Sequence, residues 1–580
     1  MLIVSAPRAQ TLALTDLSSY KPASGNWHIA GDVKADLNGN SLVPSPGTGI
    51  LLSIPEGTNA DLFSVQEHGD ADIELDYLMA KGSNSGIYLQ GRYEIQLLDS
   101  WGVINPKAGD NGGIYERWDE SRPEGQKGYE GYAPRQSVSK APGLWQHLKI
   151  SFQAPVFTNG VKTENAKILR IELNGVLIHE NIELFGITRG GIEGETVSGP
   201  LRLQGDHGAV AFRNIMLTKY GKQKPAINNL SYGIYKTSID KEPDYAKAVA
   251  QAKGTSSVLT SNFNGLPDSF ILHYAGTLKI TEPGEYNFAL NTAGGRGIIR
   301  INKQELAGSR RMRVTLPAGD LPFELTYLKF ADWATPSIGL AVSGPGIREY
   351  FITDANNAST EITDPILITA PVNTLLRSFI DIPGSRVTHA VSEGSPEGIH
   401  YTYDMDNGAI VQVWRGGFLD ATPMWHERGD GSSRATGSVQ RFGKPVLSIA
   451  KLSSPTTPWT TDTLGTGYRP KGYELDEKDR PIFHYFIYGS SVNDAVQVLE
   501  NRQGLSREIT IQQAANNLYV RLAEDKNIEA LGNGLYIIGD KSYYLKIENA
   551  SGEKEFIRDS NGNKQLLVPV KTKLNYTILF

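Results

Sequence analysis

The chain has 580 residues, 39% apolar and 21% charged, with a formal net charge of −6 and no cysteine. That length is too great for one hydrophobic core, so about three or four domains are expected, and the composition excludes wholesale disorder. The acidic balance, with no dense Lys/Arg cluster, argues against a nucleic-acid partner, and the missing cysteines exclude disulfides, thiolate nucleophiles and Cys-ligated metal.

The opening MLIVSAPRAQ has two readings: the tail of a signal peptide, or a slightly apolar N-terminal segment within residues 1–22. No apolar run reaches membrane-spanning length. From Trp27 to Tyr220 apolar residues alternate with polar ones, as in half-buried strands. Ile73, Leu75, Tyr77 and Met79 fall on one face, as do Leu148, Ile150 and Phe152, and then Leu169, Ile171 and Leu173, before a turn at Asn174-Gly175. Sixty-one glycines and thirty prolines suit many short strands joined by tight turns, and a two-sheet sandwich buries such strands. GKQKPAINN, Gly221 to Asn229, reads as a linker. A second block covers residues 230–354, with a short helix expected around Ala246 to Ala252. ASTEITDP, Ala358 to Pro365, reads as a second linker, and a strand-rich third block covers 366–580.

The segment GSNSGIYLQGRYEIQLLDS, Gly82 to Ser100, carries the most chemistry. Two strands meet at Gln90-Gly91, and on the second Arg92, Glu94 and Gln96 share a face. A carboxylate between a guanidinium and a carboxamide on a rigid strand suits sugar hydroxyls; an exposed strand with an ion pair is the plainer alternative. Arg92 beside Glu94 is expected to lower the pKa of the carboxyl, which suits a base.

This segment, with APGLWQHLKISF, ELNGVLIHENIEL and PLRLQGDHGAVAFRNI following in order, resembles the 3-keto-disaccharide hydrolase domain family. The resemblance spans Trp27 to about Tyr220 and places a first domain at residues 23–220. It implies an all-β fold, a concanavalin- or laminin-G-like jelly roll with its site on a concave sheet, usually in exported (periplasmic or extracellular) proteins that process glycosides. Carried over by position, it implies a polar strand of Glu94, Gln96 and Asp99 and a late set of Gln204, Asp206, His207 and Arg213. Glu94 is then the candidate base or acid. Asp99 has the opposite parity to Glu94, and a turn cap explains it as well. His207, in the loop GDHG, is a general acid, a metal ligand or a turn histidine. Arg213 alternates with Ala211 and Ile215, so it is also readable as a structural arginine. Tyr115, Trp118, Tyr129 and Tyr132, in the long loop Trp101 to Gln136, are either platforms for sugar rings or packing for the loop. A position often histidine in relatives is here Leu173, which weakens the case for a metal. The ten histidines show neither HxH nor HExxH spacing; a divalent metal is left open and no cofactor is assigned.

The second block resembles a protective-antigen-type β-barrel module, through LHYAGTLKITEPGEYNFAL, GIIRINKQEL and VSGPG. Its loop NTAGGRG, Asn291 to Gly297, lacks the aspartates that hold calcium in such modules. In the third block Trp414, Arg415, Asp420, Trp425 and His426 crowd into WRGGFLDATPMWHERGDG, as at a glycan site or in a packed turn. DMDNG, Asp404 to Gly408, reads as a hairpin turn rather than a calcium loop.

The reading that gathers these features is an exported, multidomain enzyme cleaving 3-keto-glycosides, by hydrolysis or as a lyase, through C2 proton abstraction by Glu94, with His207 or Arg213 assisting. Two rivals stand: a non-catalytic glycan-binding protein, and a hydrolase using two carboxylates on unoxidised sugars.

Overall fold

The computed structural model describes residues 10–22, 25–55, 60–236, 242–306, 311–354, 364–550 and 554–580. Met1–Ala9, where the signal-peptide reading falls, lie outside the described residues, as does most of Ala358–Pro365. The fold is all-β, with one four-residue helix, Thr422–Trp425, among the described residues. No helix there is long and apolar enough to cross a membrane.

The first block is a sandwich. Its large sheet holds the strands Trp27–Ala35, Leu42–Ser53, Ala71–Met79, Gln146–Gln153, Ala166–Leu173, Val176–Leu184 and Val210–Lys219, the last of which also pairs with Gln10–Thr11. Its small sheet runs Leu62–His68, Gly199–Leu203, Asn84–Leu89, Tyr93–Leu98, all antiparallel neighbours. Strict alternation sends Ile73, Leu75 and Tyr77 into the core, each at most 1% exposed, and leaves Asp72, Glu74 and Asp76 outward. The Asn174-Gly175 hairpin is a two-residue turn with both φ positive (52° and 80°) and Leu173 opposite Val176.

One phase assignment fails. Leu169 is only half-buried, while Ile168 and Ile171 are fully buried. Arg170 opposes Ser151 and Ile168 opposes Phe152, so Leu169 is the extra residue of a β-bulge, which shifts the alternation by one.

The second block forms a six-stranded and a four-stranded antiparallel sheet around a core that includes Tyr274, Phe288 and Tyr327. Its first strand, Ala226–Tyr235, starts inside the stretch read as a linker, because Ile227 packs against that core. The expected helix is replaced by a turn at 245–247, after which Ala252–Ser256 pairs as an edge strand. NTAGGRG is a tight crossover that links Gly284–Thr292 of the four-stranded sheet to Gly295–Ile301 of the six-stranded one.

The third block comprises two eight-stranded sheets and one four-stranded sheet, with a shared core from Val391 to Phe580. Trp414 is wholly buried against His400 and Phe418, Arg415 donates to the Arg502 carbonyl, and Asp420 caps the Thr422 amide. Trp414, Arg415 and Asp420 of the crowded WRGGFLDATPMWHERGDG segment therefore pack core and turn, while Trp425 is 51% exposed. DMDNG is a turn in which Asp404 accepts from the Asp406 amide and from Asn407.

Among the described residues, those within 217–354 form one compact unit together with Gln10 and 69–71; those within 11–68, 72–216 and 364–580 form the other. Within the latter, Leu37, Ala141 and Leu144 of the sandwich share a cluster with Ile537, Tyr544 and Leu579. Each large apolar side chain so buried contributes on the order of 2 kcal/mol. Trp101 donates to the Phe580 carbonyl, Tyr544 to the Pro142 carbonyl, and Lys541 pairs with Asp32 at 2.7 Å.

Candidate functional site

The small sheet presents two cross-strand rows on the face turned away from the sandwich core. Arg202, Tyr88 and Glu94 are register partners in one row. In the next, Gly86 opposes Gln96, and the Gln204 amide donates to the Gly86 carbonyl. The opposite face carries Ile87, Tyr93, Ile95 and Leu203, all fully buried. The alternation predicted for the strand thus holds, and Glu94 and Gln96 do share a face.

Glu94 is 2% exposed. It leans over Gly86, where any β-carbon would collide with its carboxylate. Burial pushes its carboxyl up to about 7; a hydrogen bond from Tyr88 and the charge of Arg202 oppose this, while Asp61 and Asp206 add to it. Burial also holds the Tyr88 hydroxyl far above its usual range, so it remains a donor. Arg202 is fixed by Asp61 and by the Gly190 carbonyl, at 2.6 Å each, and lies 4.2 Å from the Tyr88 ring centroid. Gln96 donates to Asn84 at 2.6 Å, and the Gln204 side-chain oxygen is buried without a hydrogen-bond partner among the described residues.

Arg92 corrects the sequence reading. It belongs to the turn at 90–92 rather than the strand, and its guanidinium donates to the Gly194 and Gln90 carbonyls. It therefore does not lower the pKa of Glu94, which moves in the opposite direction. Arg213 lies on the other sheet, where it joins Asp76 at 3.1 Å and Asp540 at 2.7 Å, away from the row containing Glu94. Asp99 caps a turn, accepting from the Gly82 and Trp101 amides. His207 is exposed and pairs with Asp206, whose charge reaches Glu94.

The long loop covers the free edge of the site strand. Tyr115 donates its amide to the Glu94 carbonyl, while Gln96 and Gly112 exchange backbone bonds with Gly113 and Gln96. Glu94 itself donates its amide to the Thr188 hydroxyl. Tyr129 packs between Arg117 and Arg122, Trp118 under Arg189, and Tyr132 reaches the Glu183 carbonyl. These contacts help to hold the loop down. Tyr115 is half-buried beside the site.

Sequence reasoning missed Tyr88, Arg202, Asp61 and Gly86. Tyr88 and Gly86 share the parity that faces Glu94, and Arg202 stands two residues before Gln204, so those three were within reach of the same alternation argument. Asp61 has no local signal; only the fold brings it to Arg202.

The acids nearest Glu94 do not suit a divalent metal, since Asp61 is committed to Arg202 and Asp206 to His207. Among the described residues no group of three or more His, Asp or Glu is arranged to hold one. Leu173 is buried, and the nearby His179 hydrogen-bonds the Gly112 carbonyl, its pKa lowered to about 4 by burial.

Residues 16–218 match the family model of the 3-keto-alpha-glucoside-1,2-lyase-like domain. That match covers all but the outermost residues of the sandwich and includes both rows of the site. No curated protein matches the chain. Among solved structures, two proteins of Parabacteroides distasonis ATCC 8503, each provisionally described as a glycosyl hydrolase, are similar at 20% and 18% identity. They cover 38% and 36% of this chain and 92% and 99% of their own, with TM-scores of 0.26 and 0.25. An anti-sigma factor domain-containing protein from Clostridium clariflavum is similar at 14% identity over 41% of this chain and 95% of its own, with a TM-score of 0.19. Similarity at this level carries no inference about activity.

Proposed function

We propose that the sandwich domain cleaves 3-keto-glycosides, with Glu94 as the base. The observation that carries this reading is a single buried carboxyl, at about 7, set in the row Arg202–Tyr88–Glu94 without an ion pair of its own among the described residues. A base with a pKa near neutrality suits removal of a weakly acidic carbon-bound proton. A two-carboxylate mechanism would need a second free acid, and the adjacent Asp61 is held by Arg202.

In the proposed reaction Glu94 takes the C2 proton, and the C2–H electron pair becomes an enolate on the C3 oxygen. Donors on the same face, the Tyr88 hydroxyl and the Gln96 and Gln204 amides, lower the energy of that oxyanion. The enolate then expels the C1 substituent, giving a C1–C2 double bond conjugated to the ketone. The Asp206–His207 pair supplies the leaving group's proton from the exposed loop. Release at this stage is a lyase reaction; addition of water across the double bond completes a hydrolysis. Export to the periplasm or outside the cell belongs to the same reading and rests on the family resemblance.

Incubation with matched native and 3-oxidised glycosides, with products read by mass, tests this. Cleavage confined to the oxidised member is expected. Comparable cleavage of both would favour the two-carboxylate rival, and binding without cleavage of either would favour a glycan-binding role.

A further inference from the structure

Arg202 and Glu94 stand in one cross-strand row with only Tyr88 between them, yet no ion pair joins them. What separates them is the use already made of the guanidinium. Its Nε donates to Asp61 at 2.6 Å, its Nη2 pairs with the same carboxylate, and its Nη1 donates to the Gly190 carbonyl at 2.6 Å. Every nitrogen of the fork therefore has an acceptor other than Glu94. The Arg202 and Asp61 side chains are 14% and 13% exposed, so solvent screens the pair only weakly.

Asp61 is itself held in place. Its second oxygen accepts from the Gly205 amide at 3.0 Å. The carbonyl of Ala60, the residue before it, accepts from the Trp27 indole at 2.7 Å and from Asn26 at 3.2 Å. Asn26 is fully buried and also donates to the Gly205 carbonyl at 3.0 Å. One buried carboxamide thus anchors both the backbone leading into Asp61 and the residue between Gln204 and Asp206.

This arrangement bears on the state of Glu94. The charged groups about it are Arg202 and Asp61, which balance each other, and Asp206, which is paired with His207; its polar neighbour is the Tyr88 hydroxyl. Burial then prevails and holds the carboxyl at about 7. A guanidinium free to approach within about 4–6 Å would lower it by about 1–3 pH units, toward the ordinary carboxylate range. A carboxylate in that range is a poorer base for a carbon-bound proton.

We propose that Asp61 is a positioning residue: by engaging Arg202 it denies Glu94 an ion pair, and so keeps a proton-accepting carboxyl in the middle of the site. The role rests on the reading of Glu94 as the base; the electrostatic relation among the three residues does not.

Asp61→Asn keeps an acceptor for the Gly205 amide and removes the charge that holds Arg202. Two measurements on the full chain then follow the carboxyl. The first needs no substrate: denaturant unfolding at pH 8, with and without Glu94→Gln. Glu94→Gln should stabilise the Asp61→Asn protein less than it stabilises the wild type, because a guanidinium freed toward Glu94 favours its charged form. The second is the acid limb of kcat/KM on a 3-keto-glucoside. Asp61→Asn should move that limb down by about one pH unit or more and lower the kcat plateau, since a weaker base remains. In an Arg202→Met background most of both changes should vanish. A limb and a stability difference unmoved by Asp61→Asn, or moved equally with and without Arg202, would overturn the role. No cleavage by the wild type, with the stability differences as expected, would overturn the reading of Glu94 as the base and not the relation between Asp61 and Arg202. Should Asp61→Asn fail to fold, Asp61→Ser, which also offers the Gly205 amide an oxygen, reads the same two quantities.

Discussion

The carboxylate of Glu94 fills the space that a β-carbon on Gly86 would need. The missing side chain on one strand is thus what lets the acid of its neighbour lie down against the sheet, between Gln96 and Gln204. Gly86→Ala should leave the fold nearly intact, since what it strikes is the movable end of a side chain. It should nevertheless cost most of the activity by displacing the carboxylate. Turnover of a 3-keto-glycoside, measured beside a thermal melt, checks both halves of the expectation.

Glu94→Gln should abolish turnover and, above neutral pH, stabilise the protein. The folded carboxyl sits at about 7 against an ordinary value of 4.5, so between those values the folded state keeps a proton that the unfolded chain releases. Stability is therefore lost as pH rises from 4.5 to 7, by about 3 kcal/mol in total. The glutamine variant escapes that loss. Denaturant unfolding at pH 4 and pH 8 should show no difference from wild type in the first case and a more stable variant in the second.

The same carboxyl sets the acid limb of the rate. A base must be ionised in the free enzyme, so kcat/KM should rise with pH through an apparent pKa near 7. Arg202→Met removes a cation that favours the ionised form and should move that limb upward. A limb unmoved in Arg202→Met would separate the guanidinium from the titration of Glu94.

The sandwich was legible in the sequence because its strands have one wet face. Alternation of Ile73, Leu75 and Tyr77 with acids, and the Asn174-Gly175 turn, needed no tertiary information. Leu169 escaped because a bulge adds a residue without a change in composition. At the site, parity placed Glu94 and Gln96 together correctly, but it carried Arg92 along with them; the turn at 90–92 had already ended the strand pairing. The sign of the Glu94 shift was missed for a related reason. Burial by Tyr88, the loop and the neighbouring strands is non-local, whereas the one cation visible in the sequence was spent on backbone carbonyls. Arg213 was misplaced because its segment leads from one sheet to the other within a few residues of Gln204.

In the third block, Arg507 and Asp494 form a fully buried ion pair at 2.5 Å, with Tyr403 and Tyr576 as hydrogen-bond partners. Asp494→Ala should cost about 3–5 kcal/mol, because it strands a guanidinium in the core. Replacing both members by apolar residues should cost much less. Urea unfolding of the single and double variants distinguishes a strained network from one needed for stability.

The cluster that joins Leu37 and Leu144 to Ile537, Tyr544 and Leu579 has a consequence during synthesis. The sandwich leaves the ribosome before the third block, and the residues that cover this side of it are translated hundreds of positions later, after the whole middle unit. For all that time an apolar surface suited to strand packing stays open to water and to other nascent chains. Such a protein is exposed to aggregation in proportion to its elongation time, so slowing translation through 217–363 should lower the soluble yield while leaving the stability of the finished molecule unchanged.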